Sequence, residues 1–314
     1  VTGVAGFIGF HVAKALLQRG DRVIGIDNLN PYYEISLKEA RLKQILSHSS
    51  FTFYREDISD LQAVHEIFSH HHIERICHLA AQAGVRYSIQ NPFIYEQSNV
   101  KGFLNLLEMA REFPVTNFVF ASSSSVYGIN KKLPFSIGDT VDTPISLYAA
   151  TKRANELMAY TYSNLYGIPL TGLRYFTVYG PWGRPDMALF LFTKAILDAR
   201  PLDIYNFGNM KRDFTYISDI VDGTISSLDN PFHYELFNLG NSRNVELMEL
   251  VSVIEEELGK EAKKNYLPIQ PGDVPETCAD IEKTREMLGF NPKTPLKRGV
   301  RKFITWYKDY YNVR

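Results

Sequence analysis

An α/β fold built on a doubly wound parallel sheet is predicted by three features of the sequence. Short β-rich runs alternate with amphipathic stretches through roughly the first 175 residues, a glycine-spaced turn joins the first run to a helix, and proline and glycine thicken in the second half. Alternation of this kind gives parallel strands with helical crossovers on both faces. Predicted strands span 22–27, 51–56, 75–79, 117–121 and 170–176. Helices are predicted over 6–18, over 61–68 behind the cap Asp60, over 103–111, and over 147–166. The apolar run 236–239 reads as one more buried strand, returning to the first sheet. A nucleotide-binding domain is therefore expected over 1–172, with a returning segment near 218–240. A smaller C-terminal α/β domain over 173–314 is expected to bind substrate. Its Pro/Gly clusters at 179–185, around Pro201 and Phe207, at 268–275, and at Pro292 and Pro295 suit loops that line a cleft.

Composition excludes several classes of function. Lys plus Arg (34) balance Asp plus Glu (35) and no basic block stands out, so no nucleic-acid partner is expected. An anionic ligand must be held by local donors. Cys77 and Cys278 have neither metal nor redox spacing, which suits a reducing compartment without a structural disulfide. No run is long enough to span a membrane and no signal peptide is visible, so a cytoplasmic location is expected. The opening Val1-Thr2-Gly3 lies at what reads as a strand's end, which predicts a few residues ahead of Val1. His70, His71 and His72 read as a solvated helix end, and no metal site is expected.

The turn Thr2-Gly3-Val4-Ala5-Gly6-Phe7-Ile8-Gly9 spaces three glycines by three. Glycines at a strand-to-helix junction let backbone amides approach a pyrophosphate, whose charge the helix N-terminus favours. Asp27 follows at the end of the next strand, placed to accept hydrogen bonds from an adenosine ribose. Its charge would repel a 2'-phosphate and no arginine follows in Asn28-Leu29-Asn30, so NAD is favoured over NADP. Together these features specify a Rossmann-type domain.

Tyr148 and Lys152 stand four residues apart in the 147–166 helix and project from one face. A tyrosine with a reference pKa of about 10 needs on the order of 4 kcal/mol to ionise near neutrality. One lysine at about 4 Å supplies about 1–4 kcal/mol, so a second helper is needed. Ahead of the pair, Ala121-Ser122-Ser123-Ser124-Ser125-Val126-Tyr127-Gly128 sets four hydroxyls at the end of a buried strand, well placed for a crevice.

The glycine spacing, the serine run and Tyr-x-x-x-Lys together resemble the extended short-chain dehydrogenase/reductases, the nucleotide-sugar epimerases and dehydratases. What the resemblance implies is a tyrosine base, Tyr148, a hydroxyl that polarises the same substrate oxygen, Ser123, and a lysine on the nicotinamide ribose, Lys152. It also implies a cofactor site of Gly3, Gly6, Phe7, Ile8, Gly9 and Asp27. Asp57 and Ile58 match the position that meets the adenine, and Leu79, Ala80 and Ala81 the strand beside the cofactor. Dehydratases and decarboxylases of this group carry acids just after the serine, where this chain has Ser124 and Ser125. Without them elimination loses its proton-handling group, and oxidation with re-reduction remains. The runs 81–88, 176–187, 212–216 and 270–275 are similar to those of UDP-glucuronate 4-epimerases. That likeness implies a UDP-sugar substrate whose carboxylate meets Arg184, a fork-shaped donor, with help from Ser124, Ser125 and Thr177. Arg86 is a further candidate there, read equally well as a salt bridge or subunit contact; Arg212 is expected at the diphosphate and Asp273 near the UDP ribose. A homodimer is implied through the helices following Asn91 and Leu147. Two alternatives stand beside this reading: a 4-epimerase of neutral or N-acetylated UDP-hexoses, and a non-catalytic NAD-binding protein.

Overall fold

The structure, a computed structural model, describes residues 1–313. Its strands in chain order are β1 Val23–Ile26, β2 Phe51–Tyr54, β3 Arg75–His78, β4 Asn117–Ser123, β5 Leu170–Tyr175, β6 Thr177–Tyr179, β7 Leu202–Ile204, β8 Lys211–Tyr216, β9 Tyr234–Leu239, β10 Asn244–Glu246 and β11 Lys264–Tyr266. The first five lie within a residue or two of the expected runs, with β4 running two residues further, to Ser123.

β1 pairs with β2, and β3, β4, β5 and β9 follow one another as parallel neighbours. Thr2 joins the two halves, bridging Ile26 on one side and His78 on the other. Its amide donates to Cys77 O at 3.0 Å, and the Leu79 amide donates to Thr2 O at 3.2 Å. The sheet therefore reads β2, β1, Thr2, β3, β4, β5, β9. Connections run outward from Thr2 first one way and then the other, which opens a crevice at the strand ends where the order reverses. Gly3 stands at that point.

Alternation along β4 builds two apolar layers. Phe118 and Phe120 pack with Val64, Phe68, Phe103, Leu106 and Ala159 of the helices Leu61–His70, Gly102–Glu112 and Leu147–Tyr166. Val119 faces the opposite layer, with residues of the helices Phe7–Arg19 and Ile217–Asp229. Burying each such phenylalanine is worth about 2–3 kcal/mol. The run 236–239 does return to the first sheet, as β9 beside β5.

In the second half β8 lies between β6 and β10, and β7 pairs with β11. The helices Ala188–Leu197, Leu247–Leu258 and Leu296–Tyr311 cover these strands, and their apolar residues continue the core that begins on the helix Phe7–Arg19. Among the described residues no helix is long and apolar enough to cross a membrane. One element departs from expectation. The helix ahead of Gly102 opens into a π-turn over Glu96–Lys101, with Asn99 buried inside it. The Asn99 side chain accepts from the Gln82 amide at 2.8 Å and donates to Gln82 O at 3.0 Å, bonds made across to the loop after β3.

Candidate active site

The glycine turn is shaped by contact as well as by charge. Gly3 has φ of +70°, and a Cβ there would stand 2.7 Å from the Ala80 amide nitrogen. A Cβ on Gly9 would fall 2.1 Å from Gly3 O, so neither position admits a side chain. The helix Phe7–Arg19 has no capping side chain and no acid in its first turn. Its leading amides are therefore free of internal competitors for a phosphate. Asp27 is buried, with one carboxylate oxygen accepting from the Ala5 amide at 3.0 Å and the other from the Leu29 amide at 2.9 Å. Each oxygen keeps a lone pair for a ribose hydroxyl. Burial pushes the Asp57 carboxyl up, but bonds from Ser59 and Asn28 outweigh it and hold the group below the usual range. Ile58 is buried beside it, and Leu79, Ala80 and Ala81 follow β3 at the rim of the crevice. These residues fit a dinucleotide.

Ser146 caps the helix Leu147–Tyr166 by accepting from the Ala149 amide at 3.1 Å, which starts the helix one residue before Tyr148. The Tyr148 ring keeps an exposed edge, yet its hydroxyl lies deep enough that burial raises its pKa. A hydrogen bond with Ser123 and the positive charge of Arg184 pull the other way. The lysine expected to assist it is anchored on β4, where Lys152 Nζ donates to Ala121 O at 2.8 Å. Lys152 is 2% exposed, and burial draws its pKa down to about 8. Ser123 at the end of β4 also accepts from the Ser125 amide at 3.2 Å and donates to the Ser125 hydroxyl at 3.2 Å, capping the short 3-10 segment that carries Ser124 and Ser125. Ser122 does not face the crevice. It donates to Glu156 at 2.6 Å inside the protein, so the four serines are split between interior and rim.

Arg184, on the loop after β6, acts on Tyr148 through its charge, and its guanidinium already holds Asp186 in a two-point pair, Nε–Oδ1 at 3.0 Å and Nη2–Oδ2 at 2.5 Å. Tyr32 donates to the same carboxylate at 2.9 Å. Thr177 opens β6, two residues beyond Tyr175, which pairs in register with Ser123. Three other residues expected at the substrate come together separately. Arg86 donates to Asp273 at 2.8 Å, and Arg212 and Arg86 both act electrostatically within this group. Two guanidiniums facing one carboxylate leave a net positive charge, suited to a diphosphate.

Several participants gave no local signal. Asn99 donates to Thr151 at 3.0 Å, one residue from Lys152. Tyr95 lies edge-on to Tyr148 with ring centroids 6.2 Å apart. Glu156 alone had a legible trace, since it repeats the four-residue spacing of Tyr148 and Lys152. His71 hydrogen-bonds Tyr54 at 2.7 Å, just past the end of the helix Leu61–His70.

The GDP-mannose 4,6 dehydratase family model matches residues 1–303. A UDP-glucuronate 4-epimerase of Arabidopsis thaliana is 48% identical, covering 99% of this chain and 75% of its own. The crystal structure of UDP-glucuronic acid 4-epimerase from Bacillus cereus with UDP-glucuronic acid and NAD superposes with a TM-score of 0.92 at 36% identity, covering 99% of this chain and 98% of that one. A tyrosine-to-phenylalanine variant of that enzyme, in complex with UDP-4-deoxy-4-fluoro-glucuronic acid and NAD, matches at 35% identity with the same TM-score and coverage.

The buried ammonium has a consequence for stability. The unfolded chain keeps the Lys152 proton up to about its usual 10.5, whereas the folded chain releases it at about 8. The folded state is thus penalised for this charge below pH 8, and the penalty fades as pH rises toward 10.5. The gap between 10.5 and about 8 corresponds to roughly 3 kcal/mol at most. In the cofactor-free protein Lys152→Met should melt higher than the wild type at pH 7, with the advantage shrinking between pH 8 and 10. Thermal melts across that range check it, and a variant less stable at pH 7 would contradict the assignment.

Proposed function

Because this chain belongs to the GDP-mannose 4,6 dehydratase family of NAD-dependent epimerases and dehydratases, we propose that it interconverts UDP-glucuronate and UDP-galacturonate by reversible oxidation at the sugar C4. The observation that carries this is the Tyr148 phenol, whose pKa burial raises while Ser123 and the charge of Arg184 draw it back down. NAD, held by the glycine turn, Asp27 and Lys152, supplies reversible two-electron oxidation. Tyr148 takes the C4 hydroxyl proton and later returns it, and Ser123 polarises the same oxygen. Lys152, anchored on Ala121 O, would hold the nicotinamide ribose and supply a positive charge to the site. The 4-keto sugar turns over within the site before the proton is returned, with no net redox change. That intermediate is a β-keto acid. Arg184, with Ser124, Ser125 and Thr177, holds its carboxylate as an anion and opposes loss of carbon dioxide. Arg86, Arg212 and Asp273 take the uridine diphosphate end. The substrate lobe is the region 173–314, apart from the segment near 218–240.

One observation favours a neutral sugar instead: Asp186 already fills the Arg184 fork. The two readings separate on substitution. Arg184→Leu also removes a charge that holds the Tyr148 pKa down, so both sugars should slow, but kcat/KM on UDP-glucuronate should fall at least tenfold further than on UDP-glucose. An equal loss on both would remove the carboxylate role. Tyr148→Phe should abolish turnover of either sugar and leave NAD bound; substantial residual epimerisation, read from the C4 proton by NMR, would refute the base.

We also propose a homodimer, supported by large apolar side chains left exposed on two neighbouring helical segments: Phe93 and Leu104, and Leu157, Tyr160 and Leu165. A cytoplasmic location accords with the two unpaired thiols, Cys77 and Cys278. Size exclusion with light scattering should return twice the chain mass, and a monomer at micromolar concentration would overturn the dimer.

A further inference from the structure

Arg41 is fully buried, and among the described residues it forms no ion pair with an acid. Its helix, Ile35–Lys43, presents Leu37, Lys38, Arg41 and Leu42 on one face toward the core. The guanidinium instead spends its donors on neutral oxygens from two distant segments. Nη1 donates to Ala5 O of the glycine turn at 2.9 Å and to the Tyr33 hydroxyl at 2.7 Å. Nε and Nη2 donate to Trp182 O at 3.1 and 2.7 Å, and Nη2 reaches Gly183 O at 3.3 Å.

These carbonyls stand immediately before Arg184. The loop they belong to has a demanding shape, since Trp182 holds φ of +64°, a conformation that costs a non-glycine residue on the order of 1 kcal/mol. A second bond from the glycine-turn helix fixes the same loop, His11 Nε2 to Pro181 O at 3.0 Å. Tilted and edge-on contacts of the Trp182 ring with Phe10, Trp306 and Tyr310 hold its other side. A shell of neutral oxygens also leaves Arg41 without a paired acid among the described residues, close to the turn where a pyrophosphate would sit.

We propose that Arg41 is a positioning residue that clamps the 180–184 loop to the glycine turn, so that the cofactor subsite sets the geometry of the carboxylate subsite. This rests on the reading of Arg184 as the carboxylate donor. A planar fork is required, because a single ammonium on a flexible stem does not serve both segments at once. Lys at this position keeps the charge and breaks the bridge.

The test compares wild type with Arg41→Lys in three measurements. Titration calorimetry should show UDP binding within twofold of wild type, since Arg86, Arg212 and Asp273 are untouched, while UDP-glucuronate weakens about tenfold. Dinucleotide released by denaturation should fall by at least half per chain. Amide hydrogen exchange across 180–184 should accelerate at least tenfold. Equal weakening of UDP and UDP-glucuronate, or unchanged exchange in that loop, would overturn the clamp. If wild type itself binds UDP-glucuronate no better than UDP-glucose, the substrate reading fails instead, and the clamp still stands or falls on loop exchange. Should Arg41→Lys not fold, Tyr33→Phe removes one acceptor only, and a change of the same sign of at least twofold in exchange is required.

Discussion

The position of the reactive phenol depends on a buried ion pair two helical turns away. Glu156, fully buried, accepts from Arg174 of β5 at 2.7 and 2.9 Å and from Ser122 of β4 at 2.6 Å. Arg174 also lies over the Tyr127 ring at 4.9 Å, and the Tyr127 hydroxyl donates to Asn238 of β9 at 2.7 Å. One carboxylate on the helix Leu147–Tyr166 is thereby registered against three adjacent strands. Apolar residues of similar volume would serve stability as well or better, because desolvating two charges offsets much of their attraction. What apolar contacts lack is direction. A slide of the helix by one residue would turn Tyr148 and Lys152 about 100° from the crevice, and the fork geometry of Arg174 tolerates no such slide.

With the helix fixed, the chemistry becomes a contest between burial and two local helpers. Burial alone raises the Tyr148 pKa and lowers that of Lys152. Ser123 and Arg184 oppose the first effect, whereas the carbonyl of Ala121 holds the ammonium without neutralising it. The site therefore keeps a cation near the place where negative charge develops, and a phenol that ionises only when further positive charge arrives. In the proposed function Arg184 would join carboxylate recognition to base activation, since its charge also acts on the phenol.

How far the sequence discloses all this follows from the range of each interaction. The glycine turn, Asp27 and the Tyr148–Lys152 pair are local patterns, set by the reach of a tight turn and the period of a helix, and they stand where their spacing puts them. The alternation of strands and helices is equally local, and the buried run 236–239 needed only its apolar character to be placed at the sheet. Interactions that close across the fold have no such trace. Ser122 is one of four consecutive serines, and nothing in the run distinguishes the one that turns inward to Glu156. Asn99 acts from a π-turn that no spacing announces. Arg41 looks like any basic residue on a surface helix until the loop at 182 and the turn at 5 meet around it.

A recurring arrangement links the two places expected to receive anionic groups. Arg184 is met by Asp186, and Arg86 by Asp273 with Arg212 close by. A cation left alone in a crevice of low dielectric would carry a desolvation penalty of several kcal/mol. An internal carboxylate removes that penalty in the free protein, and an incoming anion must then replace or join it. Affinity for the anion falls by the strength of the internal pair, while a neutral ligand that leaves the pair intact loses nothing. The acids therefore set how much of the arginines' preference for charged groups survives, and Arg184 selects a carboxylate only where that group displaces Asp186 or shares the fork with it.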